Sequence, residues 1–309
     1  MGENSFLLFG LLMLFCTSTY SQTVFPEKQE FVYKTVDGHN IKANIFLPNY
    51  IGFHPVLIYF HGGGFIFGNR DEGLEKIIKD KFLAANYAVI SADYRLAPET
   101  KLDEILNDVS DVVAWIRKNG LSEFKIDTNK IAVVGGSAGG YLALSTGFKK
   151  EKAPNAIIAI SSPTGFSTAN IKMGDLSILN QPGPYDIVTD SIVSYGDYDR
   201  RMTLWRFLGR NNLALYEIFG FDPSRNNDKL EKFRLTTNID SSYPPTLLIH
   251  AKNDRLVDLQ EAKNFYEFLN KKEITTELYI VENGHSSELI NQYPEAVDKM
   301  ISFLNSQLK

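Results

Sequence analysis

The sequence is poor in cysteine, in excess positive charge and in long hydrophobic segments. Cys16 is the single cysteine among 309 residues, so no disulfide can form within the chain and no group of thiols can hold a metal. The 32 Lys and Arg residues are outnumbered by 37 Asp and Glu, for a net charge of -5. This balance lacks the basic surface typical of nucleic-acid binding, and we expect no nucleic-acid partner.

One segment near the amino terminus, residues 5–16, is continuously apolar. It has the length of the hydrophobic region of a signal peptide, and it is shorter than the roughly 20 residues that span a membrane. Thr19 and Ser21 place small residues at the −3 and −1 positions of a cleavage before Gln22. The pattern predicts a signal peptide.

The predicted signal peptide, residues 1–21, leaves a mature chain of residues 22–309 that is secreted or periplasmic. That chain has no cysteine, which suits an oxidising compartment, and no other stretch apolar enough for a stable membrane span. Two alternatives are a lipoprotein anchor at Cys16, which lacks the usual small residues before the cysteine, and a short uncleaved anchor.

Beyond the signal peptide, short apolar segments rich in β-formers alternate with helical patterns. This alternation predicts one α/β domain with a mostly parallel eight-stranded sheet, helices on both faces and an antiparallel first pair of strands. The predicted strands are 31–36, 41–47, 55–60, 88–94, 130–135, 156–162, 246–251 and 276–281. The predicted helices are 101–118, 258–271 and one that includes Val297 and Leu304.

The connection after the sixth predicted strand, about residues 163–245, is far longer than a crossover requires. Long insertions of this kind are usually functional, and we expect a cap over one end of the sheet. The connection is rich in aromatic side chains, namely Phe166, Tyr185, Tyr195, Tyr198, Trp205, Phe207, Tyr216, Phe219 and Phe221.

The segment GGSAGG at 135–140 follows a buried strand and opens a helical pattern. A G-x-S-x-G sequence in this setting predicts a nucleophile elbow, with Ser137 on a sharp turn that exposes its hydroxyl above the strand ends. A dinucleotide-binding loop would require glycine in place of Ser137. The sequence also has no G-x-x-x-x-G-K-[ST] phosphate loop.

A second glycine-rich segment, HGGG at 61–64, follows another buried strand. Three glycines in succession remove side chains from the backbone, so several N–H groups can point into one space, as an oxyanion hole requires. Together with the N–H of Ala138, Gly63 and Gly64 are the best candidates for these donors.

The general base is identified by elimination among five histidines. In a chain with a nucleophile elbow, the order is serine, then Asp or Glu, then histidine. His285, in a loop after the last strand, is the single histidine that follows both Ser137 and a suitable acid. Of the others, His39 fits a turn and His54 the start of a strand. His61 fits a brace for the glycine segment, and His250 fits a packed position in a strand.

The acid should lie directly after the strand at 246–251. Asp254 is closest to the end of that strand, and we predict that it holds the tautomer of His285. Asp258 is the alternative, but it opens the next helix and fits the role of its N-cap.

These segments resemble the hormone-sensitive-lipase-like esterase family of α/β-hydrolases. The resemblance rests on HGGGF at 61–65 with Gly68, DYRLAPE at 93–99, GSAGG at 136–140, DRLVD at 254–258 and GH at 284–285. It implies that Ser137, Asp254 and His285 form the catalytic triad, that Gly63, Gly64 and Ala138 form the oxyanion hole, and that residues 93–99 brace the glycine segment.

Three features depart from that family pattern. The family usually has Asp before the nucleophile, where this chain has Gly136, and often an aromatic residue after the histidine, where it has Ser286. The amino-terminal cap helices are missing, so a cap must come from residues 163–245. The sequence also resembles secreted carbohydrate esterases that remove acetyl or feruloyl groups.

The sequence therefore predicts a serine carboxylic-ester hydrolase that cleaves short-chain acyl esters, including saccharide esters, through an acyl-enzyme and with no metal or organic cofactor. Two alternatives are an amidase or exopeptidase of the same fold and a non-catalytic binding protein on a hydrolase scaffold. The sequence does not define the oligomeric state.

Overall fold

The computed structural model describes residues 28–148, 153–166, 172–180 and 193–309. The predicted signal peptide and part of the predicted cap, including Tyr185, lie outside these residues. The strands are β1 (Gln29–Val36), β2 (His39–Phe46), β3 (His54–Phe60), β4 (Ala88–Ala92), β5 (Ile126–Gly136), β6 (Ala156–Ile160), β7 (Thr246–Ala251) and β8 (Thr276–Val281).

The helices follow the alternation that the sequence predicts. They are α1 (Lys76–Ala84), α2 (Leu102–Phe124), α3 (Ala138–Ser145), α4 (Tyr198–Arg210), α5 (Ala214–Phe219), α6 (Asn227–Glu231), α7 (Leu259–Lys271), α8 (Ser287–Gln292) and α9 (Glu295–Gln307). Among the described residues, no helix is both long enough and apolar enough to cross a membrane.

All eight strands form one sheet in the order β1-β2-β4-β3-β5-β6-β7-β8. β1 and β2 pair antiparallel, β2 and β4 also pair antiparallel, and every later pair is parallel. The predicted mostly parallel eight-stranded sheet is confirmed. Because β3 and β5 are neighbours, with Phe60 opposite Gly135, the segments that follow them begin side by side.

The sheet is buried on both faces, which explains the almost uniformly apolar central strands. In β3, the side chains of Ile58 and Phe60 join a hydrophobic cluster with α2, α3 and the residues after β6. The alternating side chains of Leu57 and Tyr59 join a second cluster with α1 and α9. The loops that contain the predicted site follow the carboxyl ends of the parallel strands.

The described part of the connection between β6 and β7 contains α4, α5 and α6. α4 begins at Asp197, whose carboxylate accepts a hydrogen bond from the N–H of Arg200 at 2.9 Å, as expected of an N-cap. Leu204 and Leu208, one helical turn apart, are fully buried and attach α4 to the main hydrophobic cluster.

Candidate active site

Ser137 lies on a sharp turn between β5 and α3. Its backbone has φ 55° and ψ −123°, a conformation that a non-glycine residue adopts only under strain. The glycines around it are required by close contacts. A Cβ on Gly135 would lie 2.1 Å from the carbonyl oxygen of Gly139, and one on Gly139 would lie 2.1 Å from that of Phe60. This is the geometry expected of a nucleophile elbow.

The glycine segment after β3 packs directly against this turn. A Cβ on Gly62 would be 3.5 Å from the Cβ of Ser137, which places the two segments in contact. Gly63 and Gly64 have φ values of 107° and 59°, which favour glycine. Among the described residues, no hydrogen bond uses the N–H of Gly63 or of Gly64. Both groups are thus free to bind a negatively charged oxygen.

His285 and Asp254 form a hydrogen-bonded pair. The Nδ1 atom of His285 lies 2.8 Å and 3.0 Å from the two carboxylate oxygens of Asp254. When Nδ1 donates to this carboxylate, Nε2 is left as the proton acceptor. The Asp254 side chain is fully buried and that of His285 is 15% exposed, so the imidazole is the part that substrate can reach.

The environment of Asp254 keeps its carboxylate charged. Burial acts to raise the pKa of Asp254, but the N–H groups of Leu256 and Val257 donate to Oδ1 at 2.9 Å and 3.0 Å, and His285 adds a further hydrogen bond. Together these bonds outweigh burial and hold the pKa below its ordinary value of 3.8. A charged carboxylate can stabilise a protonated His285.

The neighbouring candidates have other roles, as predicted. Asp258 accepts a hydrogen bond from the N–H of Gln260 at 2.9 Å and is the N-cap of α7. His250 is buried, and its Nε2 lies 2.9 Å from the carbonyl oxygen of Val257. This contact fixes the turn that presents Asp254 to His285.

Ser137 and His285 both line a cleft of about 410 Å³ at the carboxyl end of the sheet. Gly62, Gly63 and Gly64 form part of the same cleft. Its apolar walls come from Phe67, from Leu256 and from two aromatic residues of α4, Tyr198 and Trp205. The cleft thus brings together Ser137, the imidazole of His285 and free backbone N–H groups.

The segment 93–99 supports the glycine segment, as the family resemblance implies. The hydroxyl of Tyr94 donates to the carbonyl oxygen of His61 at 2.8 Å, and the two rings stack with centroids 4.2 Å apart. The N–H of Ala97 donates to the carbonyl oxygen of Phe65 at 2.9 Å. His61 is buried in this brace, which confirms its predicted structural role.

Arg201 of α4, which sequence reasoning missed, attaches the inserted helix to the same brace. Its guanidinium pairs with the Glu99 carboxylate at 2.6 Å and also donates to the carbonyl oxygen of Ile66 at 2.6 Å. Trp205, one turn further along α4, then lies over Gly64, where an added Cβ would be 2.4 Å from the indole nitrogen. No motif marks Arg201, although Glu99 belongs to the DYRLAPE segment.

A second cavity of about 540 Å³ adjoins the cleft and shares Leu256 and His285 with it. Its other lining residues are polar or small, and of these the sequence motifs include Arg255 and Gly284. They are Asn253, Arg255, Asn283, Gly284, Glu288 and Gln292.

The fold and the site together define an α/β-hydrolase with a serine, histidine and aspartate at the ends of β5, β8 and β7. The comparison with family models then gives the family: residues 44–269 match the BD-FAE model, and the chain belongs to that family.

Two curated relatives match this chain at identities below 30%. Esterase LipC of Mycobacterium tuberculosis is 29% identical over 70% of this chain, and the match spans 48% of LipC. The non-reducing polyketide synthase ausA of Emericella nidulans is 27% identical over 84% of this chain. That match covers 13% of the synthase, so the chain corresponds to a small part of such relatives.

Solved structures share the fold at lower identity. EstE1, a thermophilic carboxylesterase from a metagenomic library, has a TM-score of 0.68 and 21% identity, over 93% of this chain and 91% of its own. A propionate-bound esterase from Thermogutta terrifontis has a TM-score of 0.67 and 20% identity, over 91% of this chain and 94% of its own. These matches support the α/β-hydrolase fold.

Proposed function

We propose that this protein is a serine carboxylic-ester hydrolase with Ser137 as nucleophile, His285 as base and Asp254 as its carboxylate partner. The observation that carries the proposal is the His285–Asp254 pair at 2.8 Å in the same cleft as the strained Ser137. The esterase names of a sequence relative and of structural neighbours support the same reaction class.

The proposed reaction gives each of these groups a role. His285 accepts the proton of Ser137 through Nε2 as the serine oxygen attacks the ester carbonyl. The negative charge then on the carbonyl oxygen is held by the N–H groups of Gly63, Gly64 and Ala138. His285 returns its proton to the leaving alcohol, which produces an acyl-enzyme, and water repeats the sequence to release the acid.

The test compares wild type with Ser137→Ala on p-nitrophenyl acetate, butyrate and octanoate. Loss of the nucleophile should lower kcat by about 10⁴-fold or more on every ester, because the acyl-enzyme can no longer form. Thermal unfolding should stay cooperative, since Ala removes a single hydroxyl and keeps the fold. Comparable hydrolysis by the two proteins would exclude Ser137 as the nucleophile.

The same assay separates the alternatives. Matched anilide substrates that are cleaved faster than the esters would favour an amidase or exopeptidase. A folded wild type that hydrolyses neither, and that a fluorophosphonate fails to label, would favour a non-catalytic binding protein.

We further propose a small acyl group and a hydroxyl-rich alcohol such as a saccharide. Trp205 and Phe67 both line the cleft, with ring centroids 5.5 Å apart, and their bulk there supports a short acyl chain. The adjoining polar cavity borders His285, the group that must protonate the leaving alcohol, and it offers Arg255 and Gln292 as hydrogen-bonding partners.

Acetylated saccharides test this assignment, and feruloylated saccharides, whose acyl group is much larger, test the proposed limit on acyl size. Arg255→Ala and Gln292→Ala should raise KM for a saccharide ester several-fold and leave KM for p-nitrophenyl acetate unchanged, because the smaller ester lacks the hydroxyls that these residues would bind. Equal effects on both substrates would contradict a saccharide site in this cavity.

A further inference from the structure

Gly136 and Ser286 meet where the strand leading to the nucleophile faces the segment that carries His285. A Cβ placed on Gly136 would lie 2.0 Å from Oγ of Ser286 and 3.2 Å from its Cβ, and the third nearest atom, at 3.8 Å, also belongs to Ser286. Ser286 therefore occupies the space that a side chain at position 136 would need.

Ser286 is held in a conformation that serine rarely adopts. Its φ of 50° and ψ of −114° are close to the 55° and −123° of Ser137. Glycine would adopt this conformation without strain, as Gly284 does with φ 99°. A serine kept at a position where glycine would be unstrained motivates the hypothesis that the Ser286 side chain has a role.

The backbone of Ser286 is also anchored. Its N–H donates to Oγ of Ser161 at 3.1 Å, and Ser161 is fully buried directly after β6. The next residue, Ser287, donates its hydroxyl to the carboxylate of Glu75, which precedes α1. The segment after His285 is thus attached at three points, of which the contact with Gly136 is the one adjacent to the nucleophile.

We propose that Ser286, packed against Gly136 and anchored by Ser161, is a positioning residue that fixes His285 relative to Ser137. This inference rests on the proposed function. Gly136 immediately precedes Ser137 and Ser286 immediately follows His285, so their contact joins the backbone of the nucleophile to that of the base. A displacement of about 1 Å between reacting groups can cost about 10²-fold in rate, so a small loss of contact is measurable.

Ser286→Gly distinguishes positioning from a merely structural role. It removes the hydroxyl and Cβ that touch Gly136 and also removes the backbone strain. We expect kcat for p-nitrophenyl acetate to fall about ten-fold and KM to stay within about two-fold. The thermal unfolding midpoint should not fall. A wild-type kcat in this variant would overturn the proposal.

Gly136→Ala supplies the second half of a double-mutant cycle. The three atoms nearest to the new methyl group all belong to Ser286, so the change should displace Ser286 and lower kcat. In the double variant with Ser286→Gly, the methyl group has no hydroxyl to meet. The double variant should therefore lose no more activity than Ser286→Gly alone. Additive losses would contradict a direct contact.

Gly209→Ala on α4 is the matched control, because a Cβ there has no neighbour within 4 Å. It should keep wild-type kcat and KM. Covalent labelling of wild type by a fluorophosphonate, absent in Ser137→Ala, separates the two levels of inference. A labelled and active wild type together with an unaffected Ser286→Gly overturns the positioning role alone, whereas an unlabelled and inactive wild type overturns both proposals.

Discussion

Three serines around the candidate active site have left-handed backbone conformations. Ser137, Ser161 and Ser286 have φ values of 55°, 48° and 50°. Each such residue costs about 1–3 kcal/mol and persists where the surrounding structure fixes it. A hydrogen bond or a packed contact fixes the backbone at each serine. Ser137 donates its N–H to a carbonyl oxygen of β6, and Ser161 donates its N–H to one of β7, at 2.8 Å in both cases.

Motifs predicted the residues that carry the proposed chemistry, because the order of serine, acid and histidine restricts each choice. The fit between Gly136 and Ser286 could not be predicted, since it depends on how the loop after β8 passes the end of β5. The sequence showed that both positions depart from the family pattern. It could not show that the two departures touch.

His61 should make stability depend on pH. Burial lowers its pKa from 6.5 to about 4, against a weaker opposing effect of its hydrogen bond to the carbonyl oxygen of Gly62. Between these two values the unfolded chain binds a proton that the folded chain does not, so the free energy of unfolding falls as the pH falls. From pH 7 to pH 5 the contribution of His61 to the free energy of unfolding should fall by about 2 kcal/mol.

Urea unfolding at pH 7 and pH 5 measures this loss, with His61→Gln as the comparison. The variant cannot bind the proton, so its free energy of unfolding should fall less between the two pH values. Burial raises the pKa of Glu75 and raises that of Asp93 to about 7, so both groups also titrate, but they do so in both proteins and cancel in the comparison. An identical fall in both proteins would show that His61 is not the group responsible.

At the scale of elements, the pattern located the strands and helices better than it located their ends. β5 begins at Ile126 rather than at 130, because Ile126 pairs with His54. The pairing is irregular between Ile126 and Ile131, and the polar residues there do not give a strand pattern in the sequence. α2 continues to Phe124 rather than ending at 118, because Phe31 packs against Trp115 and Phe124. The distances between the ring centroids are 4.6 Å and 5.3 Å. Long-range contacts set both ends.

α4 depends on the buried pair between Arg201 and Glu99, whose side chains are 5% and 3% exposed. Glu99→Gln leaves the guanidinium buried without its charge partner and should lower the free energy of unfolding by about 3 kcal/mol. KM should rise as well, because α4 carries Trp205 into the cleft. Denaturant unfolding and p-nitrophenyl butyrate kinetics measure the two effects.

Asp80→Asn is the matched control for that change. Asp80 pairs with Lys76, whose side chain is 84% exposed, on the surface of α1. Exposed pairs of this spacing contribute about 0.5 kcal/mol or less. If the two variants lost similar stability, the Arg201–Glu99 pair would not be what holds α4.

At the scale of the whole molecule, the cleft and an exposed apolar loop lie at opposite ends of the sheet. The loop joins β2 to β3, and its side chains of Tyr50, Ile51 and Phe53 are 67%, 96% and 66% exposed. It precedes the first residue of β3, whereas the glycine segment follows the last. A seven-residue strand separates them by about 20 Å.

Replacing Tyr50, Ile51 and Phe53 together by serine should therefore leave kcat and KM within about two-fold of wild type. Retention on a phenyl chromatography column should decrease, because these side chains are among the most exposed apolar groups described. A large change in KM would show that this loop communicates with the cleft.

The three residues of the proposed triad follow β5, β7 and β8, and the last two of these strands come late in the chain. A growing polypeptide therefore cannot attack an ester while Ser137 alone has emerged, since the groups that activate it have yet to join the sheet. Hydrolysis should be absent throughout translation and should begin once β8 and the loop beyond it have joined the sheet. The time at which product first appears therefore reports when folding is complete. It can be measured in a cell-free synthesis reaction without any label on the protein.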